Sequence, residues 1–212
     1  MRAAASALLA TALLSLVAPG TARAEWQFTP FLGYSFKGST TLLDTENAAG
    51  RSRLNFGGAV TLLGERPFGV EALFTYTGGF LQNAGGAPLE DINLRVTSSR
   101  TYALMGNAVL TVPPAWSEYG LRPYVSGGVG RLHVARSDVR GTLPFRLNLL
   151  GMNAGGGAVG FVSDRIGLRF DLRYFQKIRG PDPEDLEIPP VPTREPIRLR
   201  YWTGTVGVVI RY

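Results

Sequence analysis

Several residue types are scarce in this chain of 212 residues, and each scarcity excludes a class of protein. The chain has no cysteine, which excludes a disulfide framework and a lipid-anchor cysteine. With one histidine, His133, and no cysteine, a zinc site of the usual kind is also excluded. After residue 24 no apolar run reaches the ~20 residues of a spanning helix, which excludes a helical membrane protein. Lysine occurs only at positions 37 and 177, so the net charge of +6 comes mainly from arginine.

The first 24 residues predict a secretory signal peptide. Met1-Arg2 is followed by an apolar Ala/Leu run, and Ala22-Arg23-Ala24 has the A-x-A pattern of a cleavage site. A single membrane anchor is the alternative, but the run is short for a spanning helix. Cleavage after Ala24 leaves one domain, residues 25–212. Its basic balance favours contact with anionic lipid or lipopolysaccharide over nucleic acid, or it reflects genomic composition alone.

Residues 165–177, RIGLRFDLRYFQK, alternate without interruption and predict a strand. One face is apolar from Ile166 to Tyr174, and the other carries Arg169, Asp171 and Arg173. A soluble sheet would bury the apolar face in a core. A transmembrane barrel would turn that face to lipid and enclose the charged one.

The same alternation recurs along the chain and predicts eight strands, separated by turns and by Gly- or Pro-rich loops. Their predicted ranges are 26–37, 53–64, 68–80, 98–112, 121–136, 145–163, 165–177 and 200–212. The connections alternate long and short, as in an outer-membrane barrel with extracellular loops and periplasmic turns. We therefore predict an all-β, eight-stranded antiparallel up-and-down transmembrane β-barrel with both termini periplasmic. A soluble lipocalin-type barrel is the alternative, but its outer surface would be richer in Lys and Glu.

The residues quoted above, together with two further segments, resemble the small eight-stranded outer-membrane barrels of the OmpA/OmpX/OmpW-like family. Residues 121–130, LRPYVSGGVG, are similar to that family's fifth strand, and the glycines at 155–157 to its sixth. The terminal Tyr212 resembles the C-terminal aromatic residue that the barrel-assembly machinery recognises. The resemblance implies the fold and an outer-membrane location. It implies no single activity, because the family includes structural, adhesive and solute-conducting members.

The charged faces of the predicted strands supply the candidate site. Arg169, Asp171 and Arg173 face the lumen with Glu71 of the third strand, so two cations balance two anions. Buried charges must be paired, which predicts a salt-bridge network that closes the barrel and sets its register. The alternative is a polar pathway or gate for small solutes.

Two weaker patterns suggest chemistry and are interpreted as structural. The glycines from Gly155 to Gly160 match G-x-G-x-x-G, but a strand continues there and no helix opens to hold a pyrophosphate. His133 and Ser137 could belong to a lipid-modifying enzyme. They lie ~13 Å apart along a strand and could not hydrogen-bond. We expect no enzyme, no cofactor and no metal.

The expected role is therefore structural, or an interaction with an extracellular ligand through residues 38–52 and 178–197. The latter segment is acidic and contains six of the 14 prolines, with its acidic core at 181–196. Expected partners are outer-membrane lipid, lipopolysaccharide (through arginines near the loop bases, such as Arg53, Arg179 and Arg200) and the barrel-assembly machinery. A narrow channel for small or hydrophobic solutes is the first alternative, and a lipid-modifying enzyme is the second.

Overall fold

The computed structural model describes residues 25–40, 52–64, 67–79, 96–112, 120–138, 145–180 and 199–212. The alternating segments form eight strands, as their period of two predicts. The strands are β1 (Glu25–Thr40), β2 (Arg53–Leu63), β3 (Phe68–Gly78), β4 (Val96–Thr111), β5 (Leu121–Asp138), β6 (Phe145–Phe161), β7 (Ile166–Arg179) and β8 (Leu199–Arg211). The predicted signal peptide, residues 1–24, and the acidic segment 181–196 lie outside the described residues. No helix within the described ranges is long and apolar enough to cross a membrane.

The strands close into a barrel in chain order. Each strand pairs antiparallel with the next, and β8 pairs with β1. At the seam the amide of Tyr212 donates to the carbonyl of Trp26 over 2.9 Å, and the amide of Trp26 donates back over 3.3 Å. Closure leaves no unpaired edge, which would otherwise expose backbone donors and acceptors to lipid. The predicted fold class, an all-β eight-stranded antiparallel up-and-down barrel, is confirmed.

Pro30 interrupts the seam without shifting it. The pairing of β1 with β8 omits Thr29 and Pro30 and then resumes at Phe31 in the same register. Proline has no amide hydrogen and cannot donate to the ladder, so a local gap is its expected effect. The register shift in this pair of strands lies farther along, between Phe36 and Ser39.

The outer wall of the barrel is apolar. Large side chains such as Phe68, Leu104 and Val70 face outward and are 65%, 60% and 59% exposed. A soluble lipocalin-type barrel would bury these residues, whereas a transmembrane barrel places them against lipid. The direction of the alternation therefore excludes the lipocalin alternative and makes this a transmembrane barrel.

The two ends of the barrel differ in their connections. We call the end that holds both termini and the short connections 64–67, 112–120 and 162–165 the turn end, and the opposite one the loop end. Between the two ends the interior is layered. The layer nearest the turn end contains the charged residues Glu25, Arg122 and Arg211. Next come a small apolar cluster, a charged cluster at mid-height and a larger apolar cluster toward the loop end.

The interior is more apolar than the predicted polar lumen. The large apolar cluster consists of Ala59, Leu73, Ala103, Met105, Leu132, Val134, Leu147, Leu149, Phe175, Leu199 and Tyr201. Phe31 of β1, whose apolar side chain lies on the otherwise polar face of that strand, packs against this cluster from inside the barrel. An eight-stranded barrel is just narrow enough for side chains to meet across it, so inward apolar residues form a core.

Candidate functional site: the charged cluster inside the barrel

The four charged residues predicted to share the lumen lie together at mid-height. Glu71 projects from β3, whereas Arg169, Asp171 and Arg173 project from β7 on the opposite wall. Strict alternation along β7 puts its three charges on one face, two residues apart. The cluster therefore spans the diameter of the barrel.

Glu71 pairs with both arginines. Its Oε2 lies 2.6 Å from Arg169 Nη2, and its Oε1 lies 2.9 Å from Arg173 Nη2. The Glu71 side chain has no exposed surface. A carboxylate in such a place is stable only because it is fully paired, since an isolated buried charge would be prohibitively costly.

Asp171 pairs with the same two arginines from between them. Its Oδ2 lies 3.0 Å from Arg169 Nη2, and its Oδ1 lies 2.7 Å from Arg173 Nε. Arg173 Nη2 also donates to Asp171 Oδ2 over 2.9 Å, which makes the Arg173–Asp171 contact bidentate. Two guanidinium groups and two carboxylates thus alternate in a closed arrangement with no net charge.

Polar residues that sequence reasoning did not assign to the cluster complete it. Tyr124 of β5 accepts a hydrogen bond from Arg169 Nε over 2.7 Å and donates one to Asp171 Oδ2. The Arg169 guanidinium also lies over the Tyr124 ring, 4.5 Å from its centroid. The inward face of β5 was not assigned from the sequence, because its glycines obscure the alternation. The one signal that could have placed Tyr124 inside is the alternation in residues 122–126, where Arg122, Tyr124 and Ser126 share one face and Pro123 and Val125 share the other.

Two asparagines extend the cluster around the wall. Asn107 donates to Glu71 Oε1 over 2.8 Å, and Asn153 donates to Asn107 Oδ1 over 2.7 Å. Asn153 Oδ1 in turn accepts from Arg173 Nη1 over 3.3 Å. The hydrogen bonds therefore run from β3 through β4 and β6 to β7. The two amide groups thereby link the charges on opposite walls and hold them at one height in the barrel.

Glycines on β6 make room for the cluster. Gly155 is paired with Arg173 and Gly157 with Asp171. A Cβ on Gly155 would lie 2.7 Å from Arg173 Cγ, and one on Gly157 would lie 2.9 Å from the Tyr124 hydroxyl. The G-x-G-x-x-G match lies entirely inside β6, so it has no helix N-terminus to hold a pyrophosphate.

Two small cavities lie on either side of Arg169. One is lined toward the loop end by Phe31, Asn55 and Asp171, and the other toward the turn end by Thr61, Leu63 and Tyr124. Each has a volume of about 20 Å³, which is space for about one water molecule. Asn55 lines the first cavity, and its Oδ1 accepts no hydrogen bond from the described residues, so a water molecule there would satisfy it.

His133 and Tyr212 lie away from the cluster. His133 faces outward, and its Nδ1 lies 2.8 Å from Asn148 Oδ1. The register sets Ser137 opposite Ser98, four residues along β5 from His133. Tyr212 follows β8 at the turn end, where its side chain is 83% exposed.

Solved structures with the same architecture are those of bacterial outer-membrane barrels. Neisserial surface protein A superposes with a TM-score of 0.56 at 11% identity, covering 89% of this chain and 97% of that one. OprG from Pseudomonas aeruginosa gives 0.53 at 12% identity, covering 89% and 96%. The chain has the fold of the small eight-stranded outer-membrane barrels. A major outer-membrane protein of Thermus thermophilus gives 0.50 at 14% identity, covering 88% and 99%. No protein-family model and no curated protein sequence matches this chain.

Proposed function

We propose that this chain is a closed outer-membrane barrel with a structural or surface-interaction role, carried by the segments at its loop end. The observation that supports a closed interior is the cluster of Glu71, Arg169, Asp171 and Arg173. Each of its charges is paired, and each cavity beside it has room for about one water molecule. The large apolar cluster lies between the charged cluster and the loop end, and it would block the interior at a second height.

A narrow channel for small solutes is the second candidate. The observation that favours it is that Arg169 lines both cavities. A channel through this layer would therefore require this one side chain to move. The large apolar cluster would still have to part before a solute could reach the loop end, and this obstacle makes the closed barrel the better supported proposal.

Conductance in planar bilayers separates the two candidates. For the closed barrel we expect no discrete single-channel events, either from the unaltered protein or from Glu71→Ala. The matched control is Thr61→Val, which removes a 3.3 Å hydrogen bond to Glu71 and leaves all four charges in place. If Glu71→Ala fails to fold, the conductance of the unaltered protein alone distinguishes the closed barrel from the channel. Discrete openings in that protein would overturn the closed barrel.

We also propose that the termini are periplasmic and that the loop end faces the cell exterior. The short connections at the turn end support this orientation, because outer-membrane barrels have short periplasmic turns. An epitope inserted within 181–196 should be labelled on intact cells. The same epitope beside Asp164, in the turn before β7, should be labelled only after permeabilisation. The reverse pattern would overturn the orientation.

We propose no catalytic role for His133. Its outward position and its bond to Asn148 leave it without a serine nucleophile among its described contacts. Overexpression should leave the mass of lipid A unchanged. The role of Tyr212 as an assembly signal stays a prediction, to be tested by the rate at which Tyr212→Ser is inserted into the outer membrane.

A further inference from the structure

The outer wall of the barrel carries charge of one sign. Its charged side chains that the structure describes are arginines, namely Arg100 on β4, Arg131 on β5, Arg179 on β7 and Arg200 on β8, and all four are exposed. None of the outward-facing strand residues whose side chains the structure describes is Asp or Glu. The carboxylates of Glu71 and Asp171 are inside the barrel and already paired. An anionic partner for Arg100 and Arg131 must therefore come from outside the described barrel strands.

Arg100 and Arg131 flank one aromatic–histidine pair. Tyr102 of β4 lies opposite His133 of β5, with ring centroids 5.8 Å apart. Arg131 lies opposite Leu104, two residues from His133 toward the turn end. Arg100 lies opposite Ala135, which is two residues from His133 toward the loop end. The two arginines are thus four residue levels apart, about 13 Å along the strands.

The aromatic pair belongs to a row that marks a membrane boundary. The rings of Phe56, Tyr76, Tyr102 and His133 follow one another around β2 to β5, with centroids 4.9, 5.2 and 5.8 Å apart. Aromatic girdles of this kind lie where acyl chains meet headgroups. The row is nearer the loop end than the charged cluster, so it marks the boundary on that side.

Arg131 lies on the lipid side of this row. Its cross-strand neighbours are Leu104 and Leu150, which are 60% and 47% exposed on the outer wall. An arginine on the lipid face is destabilising unless its guanidinium reaches the interface. The long side chain can extend along the apolar wall toward His133 and Arg100, where headgroups lie.

His133 is oriented by its neighbour on β6. Asn148 Oδ1 lies 2.8 Å from His133 Nδ1, so Nδ1 can donate there, and Nε2 is then an acceptor for a hydroxyl group of a bound headgroup. Arg100, His133 and Arg131 therefore form a line of three nitrogen-bearing side chains, from the headgroup side of the boundary to the lipid side. No ion pair to any of the three occurs among the described residues.

We propose that Arg100, His133 and Arg131 bind the phosphorylated headgroup of lipopolysaccharide in the leaflet at the loop end. The proposal rests on the orientation proposed above. Guanidinium groups bind phosphate with paired, charge-assisted hydrogen bonds. Two guanidinium groups supply enough charge-assisted donors for two phosphates, so a diphosphorylated headgroup should bind more tightly than one with a single phosphate. The acyl chains of the same molecule would lie along Leu104 and Leu150.

Lipid titration of the purified protein in detergent micelles tests the site. The probes are diphosphorylated lipid A, its monophosphorylated form and phosphatidylglycerol. We expect diphosphorylated lipid A to bind most tightly. We expect Arg100→Gln/Arg131→Gln to weaken it by about tenfold or more, which is the effect of losing charge-assisted contacts at an exposed site. His133→Gln should have a smaller effect in the same direction.

The control is Arg165→Gln, which removes one exposed arginine from the turn end, and it is compared with Arg131→Gln alone, which removes one from the patch. Equal weakening by these two variants would mean that net charge governs binding, and would overturn the site. Equal affinity for all three lipids, or no loss in the double variant, would overturn it as well. Since the titration uses no cells, failure here is distinct from failure of the proposed orientation, which the epitope labelling measures.

Discussion

Glu25 and Arg122 form an ion pair across the width of the barrel at its turn end. Arg122 Nη1 lies 3.2 Å from Glu25 Oε1, although β1 and β5 are on opposite walls of a ring of eight strands. Arg211 Nη1 of the last strand lies 3.7 Å from Glu25 Oε2, and Gln27 donates to the same carboxylate. One side chain thereby ties together the first, fifth and last strands, next to the seam where the barrel closes.

Arg122→Gln should loosen this end of the barrel. Because the Glu25 side chain is 20% exposed, we expect a loss of about 1 kcal/mol in the free energy of unfolding, at the upper end for solvated ion pairs. Amide hydrogen exchange should become faster at the turn ends of β1 and β5. Urea unfolding in phospholipid vesicles measures the first effect, and mass spectrometry of exchanged peptides measures the second. Arg165→Gln is the control, and an equal change there would show that the pair contributes nothing specific.

Gly157→Ala should be strongly destabilising, whereas Gly106→Ala should be tolerated. A Cβ on Gly157 would collide with the carbonyl oxygen of Phe170 and lie 2.9 Å from the Tyr124 hydroxyl. On Gly106 it would point toward lipid, with its nearest atom, the carbonyl oxygen of Val129, 3.9 Å away. We expect a loss of about 1–3 kcal/mol for the first and within about 0.5 kcal/mol for the second. Equal unfolding midpoints in urea would contradict the close packing of Tyr124 over β6.

Leu132→Ala tests whether the loop half of the barrel is a packed core or a water-filled lumen. Leu132 is fully buried, so truncation to alanine should lower the free energy of unfolding by about 2–5 kcal/mol. Leu104→Ala, one strand away on the outer wall, is the matched control, and lipid can fill the space that it leaves. Urea unfolding in vesicles measures both. A loss no larger for Leu132 than for Leu104 would indicate that water already reaches the interior.

Much of the fold could be predicted from local pattern. A period of two settles which residues share a face, and the placement of Trp26, Phe68 and Phe170 on one face with Glu71 on the other settles which face meets lipid. The observed strand ends lie close to the predicted ones because Gly, Pro and polar clusters separate the strands. In β5 and β6 glycines take the place of larger side chains, so the alternation of polar and apolar residues is hard to read. Which residues of these two strands point into the barrel is clear only from the folded chain.

The candidate site could be predicted in its charges but not in its connections. Alternation places Glu71 and Arg169 on inward faces, and charge balance favours their pairing. The bonds of Tyr124, Asn107 and Asn153 depend on which strands lie opposite one another and at what height. Register across the barrel depends on closure, which no single segment specifies.

The sequence by itself determined the strands, the lipid-facing wall and the inward placement of Glu71, Arg169 and Arg173, because each depends on the order of neighbouring residues. Only the tertiary structure decided that the loop half of the interior is an apolar core, since that requires Leu132, Leu147 and Phe175 of three different strands to meet. It also decided that Glu25 reaches Arg122 and that Arg131 and Arg100 flank His133 on the outer wall. These relationships arise when the ring closes, because closure sets the distance and height between residues far apart in the chain.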